Sequence, residues 1–242
     1  MCDGHRERLR ERYRRAGFNA FAEYELLELL LFYALPRRDT KAIARKLLER
    51  FGSLSAVIAA TPAELKTVEG VGEKTAAFLC LVGEIDRRAA LAEHERTPMN
   101  TRGAVAEYCY HLLRGRKSEC VYALLFDARF NLIAARLIAE GLPDRVALLP
   151  RRVAEEALAH AAVHVVLTHN HPAGDSTPSA EDRSATQRVR EALSTVGISL
   201  SEHIIVTDED TYAVVADGKI AVRAAACAQT VGEADEKLRR LR

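Results

Sequence analysis

Residues 163–182 read VHVVLTHNHPAGDSTPSAED, and the fold is decided there. Val163–Thr168 is a short apolar run rich in β-branched residues, the pattern of a buried strand. Just past it stand His169 and His171. In extended backbone, residues i and i+2 point to the same side. Their Cα atoms are then roughly 7 Å apart, and both imidazoles can converge on one ion. Pro172, Gly174 and Pro178 turn the following loop sharply. The loop ends in Ser179-x-x-Asp182, an N-cap box that opens a helix. The third helical position faces back toward the loop, so Asp182 can return to the histidines. Two His and one carboxylate are the ligand count of a catalytic zinc site, with a fourth position left for a water whose pKa zinc lowers to about 7. The plainer alternative is a pair of loop histidines beside a helix that Ser179 and Asp182 merely cap.

Working outward, the surrounding segments alternate strands with helices. Arg102–Arg114 reads as a helix and Cys120–Phe126 (CVYALLF) as a continuous apolar strand. Asn131–Ala139 reads as a second strand, Pro150–Ala162 as a helix, Ser179–Thr195 as a long helix and Ile198–Val206 as a strand. Tyr212–Ala216 and Lys219–Val222 look like a closing hairpin around Asp217-Gly218. Such interspersion indicates an α/β (α+β) domain with a central sheet flanked by helices.

Residues 5 to about 93 have a different texture and read as all-helical. Acid–base neighbours in His5–Ala16 suit an exposed helix. Ala22–Tyr33 is apolar, Thr40–Phe51 is amphipathic, and Pro62 stands at the first position of a further helix. Val68-Glu69-Gly70-Val71-Gly72-Glu73-Lys74 looks like the turn of a helix-hairpin-helix, with a long apolar helix after it. Gly70 and Gly72 allow a tight turn, free amides at the next helix start suit a phosphate, and Lys74 adds charge. That predicts sequence-independent, salt-sensitive contact with DNA. A simple helix–helix connection is the alternative, and Glu69 and Glu73 would oppose a phosphate. Residues 94–101 carry Pro98 without periodicity and read as a linker. The expected domains are therefore 1–95 and 102–223, with a polar tail at 224–242.

Composition narrows the classes. The chain has 242 residues, 48% hydrophobic and 29% charged, with a net charge of +1, so any nucleic-acid contact needs a local patch rather than a global field. Five scattered cysteines without CxxC spacing argue against a disulfide framework or thiolate zinc site and fit a reducing cytoplasm. The most apolar run, Leu26–Leu35, is about half the ~20 residues of a bilayer span, and no secretory signal is expected. A cytoplasmic protein without membrane attachment is the expectation; the sequence sets no oligomeric state.

The string His-x-His-x7-Ser-x-x-Asp resembles the signature of the JAMM/MPN+ metalloproteases. More closely, HNHPAGDSTPSAED at 169–182 is similar to the signature of the RadC family. HRERLRERYRRAG near the start, YELLELLLFYALPRRDTKAIARKLLERFGSL, VEGVGEKTAA, PRRVAEEAL and SEHIIV agree with it, so the likeness covers all but the tail. It implies a helix-hairpin-helix-like domain followed by a JAMM/MPN-like domain. His169, His171 and Asp182 would bind Zn2+, and Ser179 would help stabilise an oxyanion. The implied activity is metal-dependent hydrolysis of an amide or isopeptide bond in a peptide or protein. The alternative is a non-enzymatic DNA-associated repair protein with structural zinc, binding DNA through Gly70, Gly72 and Lys74. One departure stands out. The resemblance places a general-base Glu on the second strand, five residues before a Gly; counted back from Gly141, that position is Arg136. Arg cannot accept a proton at neutral pH and would repel a nearby cation. Three readings stay open: metal binding without hydrolysis, Glu140 or another carboxylate as base, or a shifted correspondence in this strand.

Overall fold

The structure is a computed structural model, and it describes residues 2–95, 99–141, 150–172 and 174–222. Backbone contacts divide the chain into two compact units, 1–86 and 87–242. The division falls within a helix, eight residues or more before the expected linker at 94–101.

The first unit is helical: α1 (Cys2–Ala16), a 3-10 turn at Phe18–Ala20, α2 (Glu23–Ala34), α3 (Thr40–Phe51), α4 (Leu54–Ala59), α5 (Pro62–Leu65) and the start of α6 (Glu73–Glu95). Local chemistry sets these limits. Asp39 caps α3 by accepting from Lys41 N at 3.0 Å, and Thr61 and Glu64 form a reciprocal capping box with Pro62 at the first position of α5. Leu27, Leu31, Leu47, Val57, Leu65 and Leu79 close the core of this unit. Among the described residues no helix is long and apolar enough to cross a membrane.

The second unit holds α7 (Arg102–Leu113), β1 (Glu119–Phe126), β2 (Leu132–Gly141), α8 (Pro150–Ala159), β3 (His164–Asn170), α9 (Ala180–Thr195), β4 (Ser199–Val206), β5 (Thr211–Ala213) and β6 (Gly218–Ile220). The strands form one mixed sheet, ordered β2-β1-β3-β4-β5-β6. Only β3 and β4 run parallel, and α9 makes the crossover between them. The mixed α+β architecture expected from the sequence is what the structure has. The tail at 224–242 lies outside the described residues.

Alternation along β1 divides the second core. Val121, Ala123 and Leu125 pack with Val153, Ala157, Val189 and Leu193 of α8 and α9. Cys120, Leu124 and Phe126 pack on the other face with residues of α7 such as Cys109 and Leu113. Odd-numbered residues of β1 thus share the face of α8 and α9. Two bulges interrupt the β1–β2 ladder, between Val121 and Tyr122 and between Leu125 and Phe126. An extra residue on one strand reverses the faces of everything beyond it.

Candidate metal centre

The site is built where β3 ends and α9 begins. β3 reaches further than the sequence suggests. His169 and Asn170 lie within the strand, held by parallel pairing with Ile205 and Val206 of β4, and only His171 is past its end. His169 pairs with Val121 of β1, so it faces α8 and α9 and is buried. The expected N-cap is present. Ser179 Oγ accepts from Asp182 N at 3.0 Å, and Asp182 Oδ2 accepts from Ser179 N at 2.8 Å. The Ser179 hydroxyl also donates to Asp182 Oδ2 at 2.7 Å. This box turns the Asp182 carboxylate toward the end of β3.

Three ligand atoms meet there. His169 Nε2 is 3.0 Å from His171 Nε2 and 3.3 Å from Asp182 Oδ1, and His171 Nε2 is 3.7 Å from Asp182 Oδ2. All lie within 4.8 Å of one another, the spacing of a group that could hold a metal ion. The outer nitrogens are occupied elsewhere. His171 Nδ1 donates to the Asp175 carbonyl at 2.7 Å, and His169 Nδ1 is 2.8 Å from His203 Nε2. Nδ1 bonds of this kind leave Nε2 lone pairs directed into the site. Two facing lone pairs beside a carboxylate repel unless a cation or a proton sits among them, so the donor set fits a divalent cation.

Electrostatics agree. Burial by itself would raise the Asp182 carboxyl, but contacts with His169 and His171 and the Ser179 hydroxyl outweigh it and hold the group far below the carboxylate range. His171 is raised, first by Asp182, against burial, with smaller contributions from the Asp175 carbonyl and the charge of Glu119. Burial keeps His203 well below its usual value, so it is neutral. Asp175 also forms an Asx turn, accepting from Thr177 N at 3.1 Å and Thr177 Oγ1 at 2.7 Å, which shapes the loop behind His171. A cleft of about 430 Å³ opens beside His171, with Asp175, Asp208, Asp210 and Lys219 in its wall.

The two positions considered for a general base lie elsewhere. Arg136 pairs with Ala123, which in turn pairs with Leu167. It is on the ligand face, but two strands away from β3 and two residues short of His169, on the order of 10 Å off. Its guanidinium meets Glu156 Oε2 of α8 at 2.9 Å. Glu140 is corrected by the bulge at Leu137–Ala139. It pairs with Cys120, so it faces the α7 side, opposite the ligands, and accepts from Ser118 Oγ at 3.1 Å. The bulge inserts one residue between Arg136 and Glu140, so the two side chains lie on opposite faces of the sheet.

A carboxylate that the sequence reading did not single out stands closer by strand register. Glu119 opens β1, has the parity of Val121, and sits across from the backbone continuing past His169 toward His171. Its charge is felt at His171. Asn170 fixes this end of β1. Its Oδ1 accepts from Cys120 N at 2.9 Å, and its Nδ2 donates to the carbonyls of Ser118 at 3.0 Å and Arg116 at 3.3 Å. The middle residue of His-Asn-His thus anchors the strand start that carries Glu119.

The three residues expected to touch DNA are not gathered in this way. Gly70 has φ 95°, and a Cβ there would lie 2.9 Å from Ile43 Cδ1, so this glycine is required by the turn. Around Gly72 there is open space, and Lys74 is exposed. The flanking acids are paired, Glu69 with Lys46 at 2.5 Å and Glu73 with Lys66 at 2.6 Å.

A His-His-Asp cluster at the end of a parallel strand pair, in a sheet covered by helices on both faces, defines the second unit as a JAB-type (MPN) domain with a candidate metal centre. The family model described as a RadC-like JAB domain matches residues 99–219, and the model described as UPF0758 N-terminal matches residues 4–77. The chain is 40% identical to a UPF0758 protein of Rhodobacter capsulatus over 199 residues, covering 82% of this chain and 93% of that one. It is 39% identical to one of Ruegeria pomeroyi over 203 residues, covering 84% and 91%. A UPF0758 protein of Fusobacterium nucleatum is 33% identical over 225 residues, covering 90% and 97%. The chain belongs to the RadC-like UPF0758 family.

Proposed function

We propose that this chain is a zinc-dependent hydrolase of the JAB type that cleaves an amide or isopeptide bond in a peptide or protein. The observation that carries the reading is the convergence of two Nε2 lone pairs and the Asp182 carboxylate, with a cleft opening beside His171 and Glu119 on the ligand face by strand parity. His169, His171 and Asp182 would hold the ion. Zinc, when bound, supplies a Lewis acid and lowers the pKa of a coordinated water toward about 7. Glu119 takes the proton of the attacking water and returns it to the leaving amine. Asn170 keeps that carboxylate in register with the ligands. Ser179 retains its cap through Oγ as acceptor, and its hydroxyl proton turns from Asp182 to the developing oxyanion. Arg136, turned to Glu156, takes no part, so its presence does not remove the base.

The test is Glu119→Gln beside the wild type, each loaded with zinc and incubated with a peptide library and with lysine isopeptide-linked peptides. The reading expects cleavage by the wild type and a loss of roughly 10²–10⁴-fold in the variant, with one zinc retained in both. Fully loaded wild type that cleaves nothing, or a variant as active as wild type, would overturn it.

A further inference from the structure

We propose that Thr186 and His203 are positioning residues that preset His169 as a metal ligand: a buried relay fixes its Nδ1–H tautomer and ties it to the backbone of Asp182. The inference rests on the metal-binding reading of His169, His171 and Asp182.

Counting hydrogens gives the direction of the relay. The Thr186 hydroxyl has one proton, and it donates it to the Asp182 carbonyl at 2.6 Å. At its other contact, 2.6 Å from His203 Nδ1, the same oxygen must accept. His203 therefore carries its hydrogen on Nδ1, and Nε2, its one remaining polar side-chain atom, faces His169 as the acceptor. His169 Nδ1, 2.8 Å from that Nε2, must then donate. What remains on His169 is an Nε2 lone pair aimed at the site. The opposite tautomer would put an N–H where the ion belongs. His169, Thr186 and His203 are at most 4% exposed, so water does not compete for these bonds. The relay starts on one ligand, Asp182 on α9, and ends on another, His169 on β3. His203 reaches both because it pairs with Leu167 in the parallel ladder and so faces α9. Outer partners of this kind hold ring orientation and raise ligand basicity, and losing one typically lowers metal affinity about 10–100-fold.

The experiment compares wild type, Thr186→Val, Thr186→Ser and His203→Gln in the full chain. Zinc affinity is measured by competition with a chromophoric chelator. Imidazole ¹⁵N shifts of the metal-free protein report the His169 tautomer, and melting reports the fold. Thr186→Val keeps the shape and removes the hydroxyl; it is expected to weaken zinc binding about ten-fold and to mix the His169 tautomers. Thr186→Ser is expected to restore both readouts, and His203→Gln to weaken zinc at least as much as Thr186→Val. Wild-type zinc affinity and an unchanged His169 tautomer in Thr186→Val would overturn the proposal. A wild type that binds no zinc would sink the metal reading instead, and the tautomer in the metal-free protein would still decide the relay.

Discussion

The loop from His169 to Asp182 and the turn from Val68 to Lys74 both look like short binding motifs, but the structure treats them differently. In the first, side chains from β3, the loop and α9 converge, and their outward bonds are all used so that the inward atoms are free for a ligand. In the second, the residues share only a backbone shape. Gly70 is demanded by its positive φ, a Cβ at Gly72 would meet nothing, Lys74 is exposed, and the neighbouring acids are paired with lysines. Convergence needs tertiary support and leaves a chemical signature; in the glycine turn, backbone conformation and packing account for Gly70.

The largest effect that separates the two is on metal. His171→Ala is expected to weaken zinc binding more than about 100-fold, because it removes one of three ligands. Gly72→Ala should leave zinc affinity and melting unchanged. Equal zinc affinity in both variants would erase the distinction. Next comes the support beneath the site. Asn170→Ala strips partners from Cys120 N and two carbonyls, and should cost about 2–3 kcal/mol in denaturant unfolding of the second unit. A cost under about 0.5 kcal/mol would show that Asn170 does not anchor β1. Gly70→Ala should destabilise the helical unit by about 1–3 kcal/mol through its positive φ and the contact with Ile43, while metal affinity stays unchanged. The smallest effect is Lys74→Ala. With Glu69 and Glu73 beside it, duplex DNA binding in a salt titration should change by less than about two-fold. A fall of about 0.9 in the salt slope would show that Lys74 neutralises a phosphate and would support the DNA reading of this turn.

Much of the first region was legible because its parts lie close in sequence. The i, i+2 histidines and the capping box that returns Asp182 depend on local geometry, which spacing encodes. The helices were readable from periodicity and from local signals such as Pro62 at the first position of α5. Glu119 and His203 were not. Their place depends on which residues pair across strands some fifty or thirty-five positions apart in the chain, and no local pattern carries that register. The alternation in CVYALLF does fix which β1 residues share a face, and extending it back one residue would have put Glu119 opposite Cys120. Glu140 went astray for a sharper reason. A one-residue bulge reverses parity, and β2 gives no Gly or Pro signal at Leu137–Ala139 to betray it.

The central claim is that His169, His171 and Asp182 form one metal site. Its most direct test is the metal content of the purified full chain, measured by elemental mass spectrometry after zinc supply and desalting, beside Asp182→Ala. The account predicts about one zinc per wild-type chain and none in the variant. A wild type without stoichiometric metal, or a variant that retains it, would contradict it.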